Sequence, residues 1–348
     1  MKNFAAKKLL VTGGMGFIGS NFIRTMLNKE QRVKIVNLDL LTYAACEDNL
    51  INLPHPENYH FIKGNINNLE LVSQILKEYD IDSIIHFAAE SHVDKSLSDP
   101  VDFITTNIVG TFTLLEAARN IWLYKNKWNA TDCRFYHIST DEVYGSCLNI
   151  HSPSFSESSP YNPSSPYSAS KAASNHLVKS YYNSYNLPII ISNCTNNYGP
   201  YQHVEKFIPK IIDCCINAKD IPIYGDGTAI RDWLYVQDHC DAIVALLNYG
   251  TIGNEYNIGA SNELSNLSVV NAICELMDIY TPKPYPHKKL VKFISDRPGH
   301  DWRYSLNCEK LSSNIGWETK ISFQNGLIKT IEFYLQLQNR KTHNIVVA

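Results

Sequence analysis

The sequence predicts an α/β fold: a doubly wound parallel sheet with a smaller, mixed C-terminal lobe. Three observations lead there. Short apolar runs of strand length alternate with stretches of helical periodicity through the first 195 residues, the pattern of a parallel sheet covered by helices on both faces. A glycine-rich turn joins the first strand to the first helix. From Asn193 the pattern becomes less regular, as expected where a second lobe begins. At 348 residues the chain has length for roughly two domains. The expected division is a first domain over 1–195, a ligand-binding lobe over 196–338 whose chain crosses back to the first domain, and a tail over 339–348.

Each element is read in order. Lys7 to Thr12 is a short apolar strand running into Gly13-Gly14-Met15-Gly16-Phe17-Ile18-Gly19, and Ser20 to Asn28 has helical apolar spacing. Glycines at 13, 16 and 19 allow a sharp turn, close approach to a pyrophosphate and tight helix–strand packing, while the helix start offers unpaired N–H groups to phosphate. Tight turns also collect glycine, but Val33 to Leu38 is a second strand ending at Asp39, twenty residues after Gly19. That spacing makes a Rossmann dinucleotide site with Asp39 on the adenosine ribose, which favours NAD over NADP. The alternative is a plain turn aspartate. Tyr59 to Lys63 reads as a strand, Leu69 to Tyr79 as a helix, and Ile81 to Phe87 as a strand ending in Ala88-Ala89-Glu90-Ser91-His92, where small residues let a cofactor lie close. Val101 to Arg119 carries Ile104, Ile108, Phe112 and Leu115 at helical spacing, and Cys133 to Ser139 is the next strand.

That strand runs into Ser139-Thr140-Asp141-Glu142-Val143-Tyr144-Gly145. Polar residues there emerge at the carboxyl end of the sheet, the edge where open α/β folds bind ligands. Asp141 and Glu142 are either an acid and a base or ordinary loop carboxylates. Ser146 to Pro166 is rich in Ser, Pro and Asn without periodicity, and is expected to be a lid, with a linker as the alternative. Tyr167 to Tyr185 reads as a helix opening with Tyr167-Ser168-Ala169-Ser170-Lys171, and Leu187 to Ser192 as a strand. Beyond it come a turn-rich loop at Asn196–Pro200, a helix from Lys206 to Cys215 and a strand at Ile221–Tyr224. Arg231 stands inside an apolar run, Ile230 to Val236, and needs an anionic partner, a carboxylate or a bound phosphate. Arg297 and Arg303 follow near the end, and the tail from Gln338 looks frayed.

Composition excludes other classes. The 31 basic and 34 acidic residues, net charge −3, are spread without blocks, so neither a nucleic-acid nor a membrane-surface partner is expected. Apolar runs fall short of the roughly 20 residues of a membrane helix, and Met1 to Lys8 carries no apolar core with a cleavage site. A cytoplasmic protein is expected. Nine cysteines without a CxxC and twelve histidines without ligand spacing point to reduced thiols and no metal.

The glycine turn and the Tyr167…Lys171 pair resemble the extended short-chain dehydrogenase/reductases. Ser139 to Gly145, His86 to Asp94, Asn193 to Tyr201, Ile230 to Leu234 and Asp296 to Asp301 narrow the resemblance to the dTDP-glucose 4,6-dehydratase family, over about Lys7 to Leu335. The resemblance implies an NAD-dependent lyase acting on dTDP-glucose by C4 oxidation, loss of water across C5 and C6, and hydride return to C6. A UDP-glucose dehydratase or a sugar-nucleotide epimerase is the alternative, and a non-catalytic NAD sensor a more distant one. By the family pattern Thr140, Asp141 (acid), Glu142 (base), Tyr167 and Lys171 are catalytic. A protonated Asp141 requires a raised pKa, and Lys171 is expected to lower that of Tyr167. Gly13, Gly16, Phe17, Ile18, Gly19, Asp39, Thr42, Asn65, Ile66, Ala88, Ala89, Asn107, Tyr167, Lys171 and Asn197 would hold NAD. His92, Thr140, Asn196, Lys206, Pro222, Tyr224, Arg231, Asn266, Arg297 and His300 would hold the sugar nucleotide, with Tyr224 stacked on the base and Arg231 and Arg297 on the diphosphate. Asn65 departs from a usual Asp, and Trp302 from a usual Arg, leaving Arg303 beside it. A homodimer is expected through the Val101–Arg119 and Tyr167–Tyr185 helices.

Overall fold

The computed structural model describes residues 4–129, 131–296 and 300–346. In chain order the first part comprises β1 (Lys8–Thr12), α1 (Phe17–Lys29), β2 (Lys34–Asp39), β3 (Tyr59–Lys63), α2 (Leu69–Glu78), β4 (Ser83–His86), α3 (Val93–Ser98), α4 (Val101–Phe103), α5 (Thr111–Ala118), β5 (Arg134–Thr140), α6 (Pro166–Tyr185) and β6 (Ile189–Cys194). The remainder comprises β7 (Asn196–Tyr198), α7 (Phe207–Ile216), β8 (Ile221–Tyr224), β9 (Ile230–Tyr235), α8 (Val236–Tyr249), β10 (Glu255–Ile258), β11 (Glu263–Ser265), α9 (Asn266–Tyr280), β12 (Val291–Ile294), α10 (Glu309–Ile315) and α11 (Phe323–Val346).

Seven strands form one parallel sheet in the order β10-β6-β5-β4-β1-β2-β3. The strands β4, β5, β6 and β10 are buried along their whole length, which is why they read as continuous apolar runs rather than alternating ones. One face packs on α1 and α8, the other on α2, α5 and α6. The order reverses between β4 and β2 on either side of β1, and the crevice at the carboxyl edge of such a reversal is the ligand site of doubly wound folds. The smaller lobe has its own core, a mixed sheet β11-β9-β7 and a two-stranded sheet β12-β8. Its chain returns to the large sheet through α8 and β10 before leaving again.

Four segments differ from the sequence expectation. The helix predicted over Val101–Arg119 runs to Lys125 and contains π-helical turns at Ile104–Gly110 and Arg119–Lys125. The turn-rich segment at 196–200 contains a short strand, β7, because it pairs with β9. The 146–166 segment is a strap, not a lid. The Phe155 N–H donates to Ser305 O (2.9 Å), the Asn307 N–H to Phe155 O (2.8 Å) and the Cys147 N–H to Arg303 O (2.8 Å), while the Phe155 ring stacks on Tyr144. Its backbone pairs with the C-terminal part, and none of its residues lines the cleft. The tail predicted to fray from Gln338 continues as α11 to Val346.

Candidate active site

A single cleft runs over the carboxyl edge of the sheet, from the glycine turn at one end to Thr140, Asp141, Glu142, Tyr167 and Lys171 at the other. At the glycine end the backbone is fixed by side chains beneath it. Asn37 Oδ1 accepts from Gly14 N (3.0 Å) and Asp39 Oδ2 from Met15 N (2.9 Å), while Asp39 Oδ1 accepts from Leu41 N (2.8 Å). Asp39 therefore staples the turn as well as lining the cleft. A Cβ at Gly13 would sit 2.6 Å from Ala88 N, and one at Gly19 would sit 2.4 Å from Gly13 O, so both positions need glycine. At Gly16 a Cβ would meet only Gly13 O, at 3.3 Å: this glycine keeps the wall open toward the cleft. The helix α1 starts at Phe17 without a side-chain cap and without an acid in its first turn, which leaves its dipole and first N–H groups to an anion. These residues fit a dinucleotide pyrophosphate. Thr42, Asn65, Ile66, Ala88, Ala89 and Asn197 line the same cleft. Asn65 Oδ1 accepts from Asn67 N (2.9 Å), so its amide nitrogen is the end left for a ligand.

The other end is assembled by two strand ends and one helix start. Thr140 of β5 stands level with Cys194 of β6, and residues Asp141–Tyr144 turn through a short 3-10 helix to Gly145 at φ 81°, where a Cβ would lie 2.3 Å from Asn162 O. The helix α6 opens with a Ser165–Ser168 capping box and Pro166 in its first turn, which fixes where it starts and puts Tyr167 and Lys171 one turn apart on one face. The Thr140 hydroxyl donates to Asp141 Oδ1 (3.2 Å) and accepts from Glu142 N (3.3 Å). Asp141 Oδ2 is buried without a hydrogen-bond partner.

Electrostatics separates the two carboxyl groups. Burial first, and the charge of Glu142 second, push the Asp141 pKa well above its ordinary value, against a smaller pull from Arg231. Among the described residues nothing accepts from Asp141 Oδ2, so a proton kept there by burial is left for a ligand. Burial first, and the charge of Glu142 second, push the Tyr167 pKa well above its ordinary value, while the Lys171 ammonium donates to Ile138 O (2.8 Å). Burial in turn lowers Lys171 to about 8.

Asn107 stands behind the wall rather than in it. Its Oδ1 accepts from Glu90 N (2.9 Å), and its Nδ2 donates to Glu90 O (3.0 Å) and Ser170 Oγ (2.8 Å). Its amide ties the β4 end to α6. His92 caps α3 through Lys95 N (3.3 Å) and lies 4.0 Å from Glu205. Asn196 and Lys206 line the cleft, Lys206 donating to Ser91 O (3.0 Å). Pro222, Tyr224, Arg231, Asn266 and His300 are carried by the smaller lobe, outside the cleft wall proper. The Tyr224 and His300 rings lie 6.3 Å apart. Arg231 donates to the carbonyls of Ile230 (2.7 Å), Asp301 (2.8 Å) and Trp302 (3.3 Å) and lies over the Tyr304 ring. Its neighbour Asp232 faces the Ala260–Asn262 amides instead, and among the described residues no carboxylate forms an ion pair with Arg231. Arg303 is not available to a nucleotide: Nε and Nη2 grip Glu263 (2.6 and 2.9 Å) and Nη1 donates to Ser152 O (3.0 Å). Arg297 lies outside the described residues.

Residues 10–330 match the family model described as GDP-mannose 4,6 dehydratase. The chain is 50% identical over 331 residues to dTDP-glucose 4,6-dehydratase of Haemophilus influenzae, covering 94% of this chain and 97% of that one. The chain belongs to the dTDP-glucose 4,6-dehydratase family. Solved structures of the family superpose on it closely: the Bacillus anthracis enzyme in complex with NAD at a TM-score of 0.83 and 41% identity (95% and 97% of the two chains). The Streptomyces venezuelae enzyme DesIV, also with NAD bound, gives 0.85 and 40% (94% and 97%). Beyond the expected site residues, the cleft also holds Ser139, Glu90, Ser91, Thr195, Gln202 and His203. Strand-end position marked the first three. The last two sit in a loop whose path over the cleft depends on long-range contacts, such as Asn21 Nδ2 donating to Pro200 O (3.0 Å).

Proposed function

We propose that this chain converts dTDP-glucose to dTDP-4-keto-6-deoxy-glucose and water, with NAD as its resident cofactor. The observation that carries this is the pair Asp141 and Glu142 beside Tyr167 and Lys171: a carboxyl that keeps its proton adjoining one placed to take another. When bound, NAD would supply the acceptor for the C4 hydride and its return to C6, and Gly13, Gly16, Phe17, Ile18, Gly19 and Asp39 would hold it at the glycine end. Burial keeps Tyr167 protonated, so the positive charges of Lys171 and of bound NAD would have to ionise it before it takes the C4 hydroxyl proton, with the Thr140 hydroxyl bonded to the same oxygen. The C4 ketone acidifies the C5 proton, which Glu142 removes; Asp141 delivers its Oδ2 proton to the C6 hydroxyl as it departs as water, and Glu142 gives its proton back to C5 when C6 receives the hydride. An epimerase has no use for that second pair. Arg231, held on three carbonyls and without an ion pair among the described residues, suits the diphosphate.

Val101, Ile104, Val109 and Phe112, 66%, 46%, 45% and 46% exposed, form an apolar strip on the long helix that suits a second copy of the chain. Nine free thiols, seven of them buried, suit a reducing compartment, the cytoplasm. Among the described residues no helix is long and apolar enough to cross a membrane. The deciding experiment offers purified protein dTDP-glucose and UDP-glucose separately and follows each by mass. Loss of one water from dTDP-glucose is expected; loss from neither overturns the reading.

A further inference from the structure

His239, the fourth residue of α8, is fully buried, and its Nδ1 lies 2.9 Å from Asn197 Oδ1. Asn197 is a wall residue of the cleft. Which way its amide faces is decided by its other contact: Nδ2 donates to Thr195 O (3.0 Å). Only a nitrogen can face that carbonyl, so the amide oxygen faces the imidazole, and the imidazole must carry its proton on Nδ1. Burial supports the neutral form, lowering the ring's pKa to about 3. His239 Nε2 is then a bare acceptor, buried without a partner. An imidazole with one nitrogen orphaned in the core stabilises the fold less than an apolar side chain of similar size would. Its use lies in the Nδ1 proton.

We infer that His239 is a positioning residue that holds the Asn197 carboxamide in one orientation, with its second amide N–H turned to the cleft as a donor for an oxygen of the bound dinucleotide. The Asn197 backbone is held as well, since Gln202 Nε2 donates to Asn197 O (3.0 Å). With both ends of the amide and the main chain fixed, the donor is set before any ligand arrives, and no ordering cost falls on binding. Without the Nδ1 proton the amide oxygen loses its donor and only the Thr195 carbonyl still orients the group, so the second N–H is held less firmly toward the cleft. This inference rests on the reading of Asn197 as a cofactor contact.

The test measures NAD release from the holoenzyme, and activity against added NAD, in four single variants and one double. His239→Leu is expected to retain NAD about tenfold more weakly, the effect of one hydrogen bond and its orientation, with the KM for dTDP-glucose unchanged when NAD is saturating. Asn places its amide nitrogen where Nδ1 stands, and Gln where Nε2 stands, so His239→Asn is expected to recover most of the loss and His239→Gln none. Asn197→Ala should weaken NAD to a similar degree, and adding His239→Leu to it should weaken NAD no further. If His239→Leu does not fold, the Asn and Gln variants decide alone. Rescue by Gln as good as by Asn, or additive losses in the double variant, overturns the inference. If Asn197→Ala leaves NAD retention unchanged, the cofactor reading of Asn197 falls instead.

Discussion

Asp141 and Glu142 adjoin in sequence, yet their environments drive them apart. Asp141 lies under Thr140, sealed from water, and its proton is held by that burial. A carboxyl whose folded pKa exceeds its unfolded value of about 3.9 stabilises the fold below that pH, and this contribution is lost as pH rises through the folded value. Asp141→Asn has no proton to lose. It should melt at a higher temperature than the parent at neutral pH, by a margin that widens from about pH 4 upward, while kcat drops about 10²- to 10³-fold. Melting curves across that range check it, and a margin independent of pH would contradict the assignment. Glu142→Gln should block elimination but not oxidation, so reduced cofactor accumulates on mixing with dTDP-glucose and its absorbance persists. If none forms, the roles of Tyr167 and Glu142 are wrongly divided. The residues of this site were legible in the sequence because a strand end and a helix start each place a short motif. The raised pKa of Tyr167 was not: it comes from burial and from the charge of Glu142, which only the packing of the site brings against it.

Among the elements, β1 to β6 and the helices between them were readable from buried apolar runs and helical periodicity, whereas β10 and α8, which complete the large sheet after the chain has passed through the smaller lobe, were not. Nor was the 146–166 segment. Nothing local distinguishes a lid from a strap, and what decides it is Phe155 pairing with residues 305–307 and Arg303 reaching back to Ser152 and Glu263. The fork on Glu263 is partly buried, 8% and 26% exposed at the two side chains. Arg303→Ala is therefore expected to lower stability by about 2 kcal/mol and to make the 146–155 stretch a site of proteolytic nicking, with residual activity at saturating substrate. Resistance to protease equal to the parent's would show that the backbone pairings alone hold the strap. The π-helical turn at Ile104–Gly110 was equally hidden, since its apolar spacing passes for an α-helix, and it is where Asn107 reaches both Glu90 and Ser170.

For the whole molecule, the apolar strip at Val101, Ile104, Val109 and Phe112 makes a prediction about mass. Because Phe112 is half exposed in the single chain, Phe112→Asp should fold normally yet sediment as a monomer where the parent sediments as a dimer. A parent of monomer mass at every concentration would remove the dimer. The interleaving of the lobes has a consequence of another kind. The strand that closes the outer edge of β6 is β10, and it is made about 60 residues later, after β7, β8, β9 and α8 have left the ribosome. Until then a nascent chain carries a complete nucleotide fold with one raw strand edge, Ile189 to Cys194, and no partner for it. Such an edge is a template for wrong pairing, so the first part of the smaller lobe has to be synthesised before the large sheet can be finished, and a ribosome that stalls between residues 195 and 254 leaves a product prone to aggregate.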